Sequence, residues 1–161
     1  MTAEFLALTR VRESFPQAII EYHSFRGDDT LVIRKEWLIP VMKLLKEEPD
    51  LDYRMLMDLA GVDYLPRQPR FEVVYNIYSL NRKSRLRVKV QVTEEDPEVE
   101  SLVGLWTIAN WMEREVWDMF GMRFPGHPDL KRILMYNGFE GHPLRKDYPI
   151  TKRQPRIGPK E

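Results

Sequence analysis

The feature that most constrains this sequence is a helical stretch that ends at a glycine and is followed by prolines. Glu113, Trp117 and Phe120 stand at positions i, i+4 and i+7, so they share one face of a helix. Gly121 follows the last periodic residue, where a left-handed helix C-cap favours glycine. From Pro125 onward, recurrent prolines and glycines exclude further helix. The chain is therefore predicted to change here from a packed domain to an irregular segment.

The segment after this helix, residues 123–161, is rich in proline, glycine and basic side chains. It contains six prolines and four glycines, and nine lysines and arginines against four aspartates and glutamates. The preceding residues carry the opposite excess, because the net charge of the whole chain is zero. Such a segment cannot build its own core. We predict a C-terminal arm that orders against a surface, and composition leaves open whether this surface is a partner or the arm's own domain.

The rest of the chain alternates between helix-like and strand-like patterns. Helices are predicted at Ala3–Phe15, Lys35–Lys46 and Tyr53–Ala60. A further helical region starts at Asp96-Pro97 and reaches Phe120, with or without a break at Gly104. Strands are predicted, as two hairpins, at Ala18–Tyr22, Thr30–Ile33, Phe71–Leu80 and Arg85–Val92. This order predicts an α+β fold, with helices packed on one face of a mostly antiparallel sheet in a domain of residues 1–122, followed by the extended irregular arm.

Composition excludes several kinds of site. The chain has no cysteine, which excludes disulfides and cysteine ligation of zinc or an iron–sulfur cluster. No apolar run reaches ~18 residues and the N-terminus lacks a secretory signal pattern, so we expect a cytoplasmic protein without a membrane span. Phosphate-binding glycine loops and nucleophilic serine motifs are also missing. We therefore expect no catalytic, cofactor-binding or metal-binding residue on this chain.

The charged residues of the helix before Gly121 favour a structural role over acid–base chemistry. Glu113 and Glu115 point about 200° apart on a helix, so they do not form a carboxylate pair. A backbone group or an arginine is expected to hold one of them. Arg114 and Asp118 stand four residues apart and are predicted to form an ion pair.

Two histidines, His127 and His142, each stand in a Gly-His-Pro sequence. With no cysteine and the third histidine far away in sequence, metal binding is disfavoured, and both rings are expected to bond to the backbone or to a partner. The basic pairs of the C-terminal arm also suggest nucleic-acid binding. We do not predict it, because the chain is not basic overall and acidic residues and prolines interrupt the arm.

The same stretch carries a resemblance to a known family. Its first block consists of Glu113, Arg114, Glu115, Asp118, Phe120, Gly121, His127, Lys131, Arg132, Ile133 and Leu134. Its second block consists of Gly141, His142, Pro143, Leu144, Arg145, Lys146, Asp147, Tyr148 and Pro149. Together, over roughly residues 106–149, they resemble the motifs of the thirty-kilodalton subunit of respiratory complex I (NADH:quinone oxidoreductase).

The resemblance implies a non-catalytic structural and assembly subunit in the hydrophilic arm of a proton-translocating enzyme. In that family the C-terminal segment lies along the quinone-site, forty-nine-kilodalton subunit, next to iron–sulfur subunits, so the motif residues are expected partner contacts. The parent enzyme uses FMN, iron–sulfur clusters, NADH and quinone, and this chain is expected to carry none of them. The expected location is peripheral, on the cytoplasmic side of the inner (plasma) membrane, without nucleic acid as a partner.

Two other interpretations stay open. The resemblance extends to the equivalent subunits of membrane-bound hydrogenases and of F420H2- or ferredoxin-linked relatives, so it does not determine the electron donor. A free-standing interaction or nucleic-acid-binding protein is the alternative from another class. Co-purified subunits identify the parent complex, whereas binding that weakens steeply with salt identifies a nucleic-acid binder.

Overall fold

The computed structural model describes the backbone of residues 3–154 and the side chains of residues 6–154, so residues 155–161 of the predicted arm lie outside the described part. The helices are α1 (Ala3–Ser14), α2 (Leu38–Glu47, after a 3-10 turn at Lys35–Trp37) and α3 (Ala109–Phe120). The strands are β1 (Ile19–Phe25), β2 (Asp28–Ile33), β3 (Met55–Asp63), β4 (Phe71–Ser79) and β5 (Ser84–Val92). They form one sheet in the order β1-β2-β5-β4-β3, antiparallel except for β2 beside β5. The predicted α+β fold is confirmed.

Both predicted hairpins are present. The β1–β2 turn has Arg26 at φ 55° and Gly27 at φ 86°, the two left-handed residues of a tight hairpin turn that matches strand twist. Strands β4 and β5 pair along their whole length, with Phe71 opposite Val92. The core lies between this sheet and the helices, and α2 contributes four fully buried side chains to the core. These are Leu38, Val41, Met42 and Leu45.

The helix predicted at Tyr53–Ala60 is wrong, because the segment from Met55 onward belongs to the edge strand β3, which pairs with β4. A bulge between Leu56 and Asp58 interrupts the alternation of the strand. As a result, the two buried leucines, Leu56 and Leu59, stand three residues apart, which is also the spacing of a helix face. Pairing with β4 overrides the helix propensity of the Met-Leu-Met sequence.

Gly61, the residue after the segment predicted as helix, provides the contact between β3 and α3. A Cβ at Gly61 would lie 2.6 Å from Met122 Cε, 2.8 Å from Phe120 Cδ2 and 3.0 Å from Val116 Cγ1. The missing side chain lets the helix lie close to the strand. This close packing positions α3, which carries the first five motif residues, from Glu113 to Phe120.

The helical region predicted from Asp96-Pro97 to Phe120 is also wrong for the residues before α3, because helix begins only at Ala109. Residues 97–101 are extended and pair in parallel with the beginning of the C-terminal arm, where Ser101 N–H donates to Pro125 O at 2.9 Å. Turns then lead to a single helix, α3. Phe124 of the arm is only 2% exposed and belongs to the core. The arm therefore starts inside the packed body, and the boundary after residue 122 stays a prediction.

Candidate functional site

Asp118, near the end of α3, binds residues 132–135 of the C-terminal arm. Its carboxylate is fully buried, and Oδ2 accepts the backbone N–H groups of Ile133 at 3.1 Å and of Leu134 and Met135 at 2.9 Å. Oδ1 pairs with the guanidinium of Arg132 at 2.5 Å. Burial alone would raise the pKa of Asp118, but these four donors hold the pKa below its usual value. One carboxylate thus binds four consecutive residues of the arm.

Arg114, one turn earlier on α3, binds the same segment from its carbonyl side. Its Nε donates to Lys131 O at 3.0 Å and its Nη2 to Arg132 O at 2.9 Å. The predicted ion pair between Arg114 and Asp118 is therefore wrong, because both side chains turn to the arm. The physical reason is that the turn at residues 131–135 offers backbone groups that would otherwise lack partners.

Arg132 ties the arm to itself as well as to α3. Its Nη2 donates to Phe139 O at 2.7 Å and to Gly141 O at 3.1 Å. The guanidinium also lies 5.6 Å from the ring centroid of Trp117 and 5.5 Å from that of Phe139, in cation–π geometry. Phe139 stacks in turn on Tyr148 at 6.1 Å. These contacts hold together an arm that, between residues 124 and 154, contains no helix or strand.

Both predicted histidines bond to the backbone of α3. His127 accepts the N–H of Asp129 at Nδ1, at 3.0 Å, so Nε2 carries the proton and donates to Asn110 O, also at 3.0 Å. His142 donates from Nδ1 to the carbonyl of Asp118 at 3.0 Å. Within the described residues, no group of three histidine or acidic side chains is arranged to hold a metal ion.

Gly121 combines two requirements for glycine. It has φ 81°, and its N–H donates to Trp117 O at 2.8 Å, which gives the predicted left-handed cap. A Cβ at this position would lie 2.7 Å from the ring of His142. The second block of the arm continues from there, with Leu144 N–H donating to Met119 O at 3.0 Å. The glycine therefore both ends α3 and opens space for the arm.

The second block contacts a buried arginine outside the motifs, Arg70, which the sequence analysis did not identify. Arg70, only 2% exposed, forms a bidentate pair with Asp63 at 2.9 and 3.1 Å. It also contacts Glu94 at 2.8 Å and Asp147 of the arm at 2.8 Å. Arg145 bridges Glu94 and Asp147 from the solvent side. Two arginines and three carboxylates thus connect the arm to the sheet.

Asp63 completes this connection through the backbone of the arm. Its carboxylate accepts the N–H of Lys146 at 2.8 Å and that of Leu65 at 2.9 Å. Burial would raise the pKa of Asp63, but hydrogen bonds from Arg70 and from these two amides lower it to about 2. The side chains of Arg145 and Arg70 lower the pKa of Asp147 as well. The carboxylates are therefore charged when the arm is bound.

Some of the remaining predicted site residues make contacts within the fold, and one does not. Phe120 packs against Gly61, as described above. The two prolines of the second block lie at the turns, where Arg145 N–H donates to His142 O at 3.2 Å and Lys152 N–H donates to Pro149 O at 3.0 Å. Pro143 lies inside the first of these turns. Glu115 is exposed and makes no hydrogen bond or ion pair within residues 3–154.

Glu113 is buried inside the fold and holds the loop before α3. It is 0% exposed and accepts Ser101 Oγ–H and Leu102 N–H, both at 2.6 Å. A backbone group therefore holds Glu113. Burial raises its pKa to about 7, although these two donors act in the opposite direction. The nearby Tyr75 has its pKa raised by burial and by Glu113, and its hydroxyl has no hydrogen-bond partner among residues 3–154.

Replacing Glu113 with glutamine is expected to remove a pH dependence of stability. The folded carboxyl has a pKa of about 7 against an ordinary 4.5, so the folded state retains the proton to higher pH. The contribution of Glu113 to the free energy of unfolding is complete below pH ~4.5 and is lost as pH rises through 7. The free energy of unfolding should therefore fall by about 2 to 3 kcal/mol between pH 5 and pH 8 in the unaltered chain. Urea unfolding of the unaltered chain and of Glu113→Gln at pH 5 and pH 8 measures this difference. An equal loss of stability between the two pH values in both proteins would contradict the prediction. Glu115→Gln is the control for removing a carboxylate from α3.

Taken together, the arrangement binds and orients a peptide segment. Apart from Glu115, the charged side chains described above pair with backbone groups, with hydroxyl groups or with each other, and within residues 3–154 no nucleophile, base and acceptor site converge. Within residues 3–154, no helix is long and apolar enough to cross a membrane.

Sequence and structure comparisons identify the family. The family model described as respiratory-chain NADH dehydrogenase, 30 Kd subunit, matches residues 31–154. This chain belongs to that family. The match includes the second half of β2, every later element and both blocks of motif residues. The family assignment that the two sequence blocks suggested, the thirty-kilodalton subunit of complex I, is therefore confirmed.

A curated relative and two solved structures resemble the chain over most of its length. A relative from Geotalea uraniireducens (strain Rf4), named as the C subunit of NADH-quinone oxidoreductase, is 50% identical over 154 residues, which cover 94% of this chain and 93% of the relative. A solved trypsin-resistant fragment (1–134) of Nqo5 is 38% identical, with a TM-score of 0.65, and covers 77% of this chain and 99% of the fragment. A chain of an archaeal respiratory complex, the membrane-bound sulfane sulfur reductase, shares the fold at a TM-score of 0.75, 19% identity and coverages of 91% and 86%.

Proposed function

We propose that this chain is a non-catalytic structural and assembly subunit of the hydrophilic arm of proton-translocating NADH:quinone oxidoreductase. Its C-terminal arm would brace the quinone-site, forty-nine-kilodalton subunit and contact adjacent iron–sulfur subunits. The relatives at 43 to 50% identity are named as NADH-quinone oxidoreductase subunits, which supports the parent complex. The enzyme activity would belong to the assembled complex rather than to this chain.

The observation that carries this proposal is the outward face of the C-terminal arm. The polar backbone of the arm is bound by side chains of the domain, while three large aliphatic side chains point to solvent. Leu134 is 57% exposed, Leu144 is 55% exposed, and Ile150 is completely exposed. An irregular segment that is held on one side and apolar on the other is suited to contact a second protein.

The cofactors of the parent complex would lie on other subunits. FMN, the iron–sulfur clusters and the NADH and quinone sites need ligands or pockets, and this chain has no cysteine to ligate a cluster. The chain would lie peripherally on the cytoplasmic side of the inner (plasma) membrane and reach the membrane only through its complex.

Affinity purification from native membranes tests the role of the arm. The double replacement Leu134→Asp and Leu144→Asp is expected to lower recovery of the quinone-site subunit at least about tenfold, because it places two charges in an apolar interface. Mass spectrometry of the purified material measures this. The control is Ile20→Asp on β1, a 52% exposed side chain at the sheet edge remote from β3. Equal recovery from both variants would contradict bracing through the arm.

A second candidate is the equivalent subunit of a related membrane-bound complex. The fold shared with a chain of the sulfane sulfur reductase favours it, because this fold also occurs outside NADH-linked enzymes. The same purification separates the two. If flavin- and NADH-oxidising subunits are recovered, the parent complex is NADH:quinone oxidoreductase. If hydrogenase- or sulfur-reductase-type subunits are recovered, it is the related membrane-bound complex.

A further inference from the structure

One residue of the motif before Gly121 is not used by the fold. Glu113 holds the loop before α3 and Asp118 holds the C-terminal arm, and both carboxylates are fully buried. Glu115 lies between them on the same helix but is exposed, without a hydrogen bond or ion pair in the described part of the chain. Its carboxylate is therefore free to meet a group from outside.

The helix face around Glu115 is apolar and exposed. Trp111 and Ile108 precede it by four and seven residues, so the three side chains lie on one face of the helical surface. Trp111 is 62% exposed and Ile108 is 47% exposed. Tryptophan is on average a highly buried residue, and neither its ring nor its indole N–H makes a contact among the hydrogen bonds and ring pairs of residues 3–154.

This face lies on the helix that binds the C-terminal arm. Asp118 stands three residues beyond Glu115 on α3 and binds the backbone of residues 133–135, among them Leu134, whose side chain is 57% exposed. A partner that covers Leu134 is therefore expected to lie near the face of α3 that carries Trp111 and Glu115.

Within residues 3–154, no lysine or arginine pairs with Glu115. The guanidinium of Arg114 is committed to the carbonyls of Lys131 and Arg132, and the ammonium of Lys131 pairs with Asp129 at 2.6 Å. A free carboxylate one helical turn from an exposed indole is complementary to an arginine. The planar guanidinium stacks on an aromatic ring and binds a carboxylate through two parallel hydrogen bonds.

We propose that Trp111 and Glu115 form a docking site for an arginine side chain of a partner subunit, with Ile108 as its apolar rim. The site extends the interface of the C-terminal arm onto α3. It rests on the proposed function, since the partner is a subunit of the same complex.

The first test uses full-length variants expressed in the native cell. Glu115→Gln and Trp111→Ala are each expected to lower the recovery of partner subunits about tenfold or more, the loss expected when a paired charge or an aromatic anchor leaves an interface. Thermal unfolding of the isolated variants should match that of the unaltered chain, because both side chains are exposed. The control is Glu47→Gln, which removes an exposed carboxylate from α2. Recovery from both variants equal to that of the control would overturn the proposal.

A second test identifies the partner group. A photoreactive benzoylphenylalanine in place of Trp111 is expected to cross-link to a partner peptide that contains an arginine next to the attachment point. A charge exchange, Glu115→Arg with that arginine changed to glutamate, should then restore recovery. A cross-linked segment without arginine, or no cross-link in a fully assembled complex, would overturn the site.

These outcomes separate the site from the proposed function. If the α3 variants assemble normally while the arm variants fail, the arginine site is wrong and bracing through the arm survives. If the unaltered chain is recovered without any other subunit, the proposed function fails together with the site.

Discussion

Replacing Asp118 with alanine is expected to release the C-terminal arm from α3 and to lower the free energy of unfolding by about 3 to 5 kcal/mol. The buried carboxylate accepts three backbone N–H groups and the guanidinium of Arg132. Its removal leaves these donors without an acceptor in a site that water reaches poorly. Urea unfolding measures the stability, and hydrogen exchange of the amides at residues 133–135 measures the release of the arm.

The control for this change is Asp129→Ala. Asp129 is an exposed carboxylate of the same arm, and its ion pair with Lys131 is open to solvent. Its loss is expected to leave the free energy of unfolding nearly unchanged, because surface pairs contribute little. If Asp118→Ala left the protection of residues 133–135 unchanged, the carboxylate would not be the group that holds the arm.

The parts of the fold that the sequence predicted are those with local signals. The end of α3 could be predicted because the apolar spacing stops at Gly121, and the β4–β5 hairpin because β5 alternates residue by residue. The edge strand β3 could not be predicted in this way. Its bulge brings Leu56 and Leu59 to a helical spacing, and only the neighbouring strand decides between the two structures.

The segment before α3 was misassigned for a related reason. Asp96 followed by Pro97 is a favourable helix start by local chemistry. Residues 97–101 instead pair with residues 123–125, which lie beyond α3 in the sequence. A pairing partner so far along the chain leaves no trace in a local pattern.

The candidate site shows the same division between local and distant contacts. The motif residues of α3 and the arm were found because they stand in two compact blocks. Arg70 and Glu94 were missed because Arg70 meets Asp147 from 77 positions away, and neither residue has an unusual neighbourhood in the sequence. The ion pair predicted for Arg114 and Asp118 fails because the arm competes for both side chains.

Replacing Arg70 with methionine is expected to lower the free energy of unfolding by about 3 to 5 kcal/mol at pH 7. Methionine keeps much of the side-chain volume, so the loss comes from the charge. Without the guanidinium, the buried carboxylate of Asp63 has no cation, and Asp147 loses its contact with the sheet. Urea unfolding at pH 7 measures the effect. Arg82→Met, which breaks a solvent-exposed pair with Asp50, is the control and is expected to cost less than about 1 kcal/mol.

The pH dependence identifies the cause of the loss at Arg70. In the unaltered chain the pKa of Asp63 lies at about 2 against an ordinary 3.8, so its contribution is complete above pH ~4 and is lost as pH falls through 2. In the methionine variant, burial raises the pKa of Asp63, and acid neutralises the unpaired charge. The difference between the two proteins should therefore shrink from pH 7 to pH 3. The double variant Arg70→Met, Asp63→Asn should recover part of the loss at pH 7, because an amide oxygen still accepts the N–H of Lys146 without a buried charge. A difference that stays constant with pH, with no recovery in the double variant, would mean that packing rather than the ion pair holds the end of the arm.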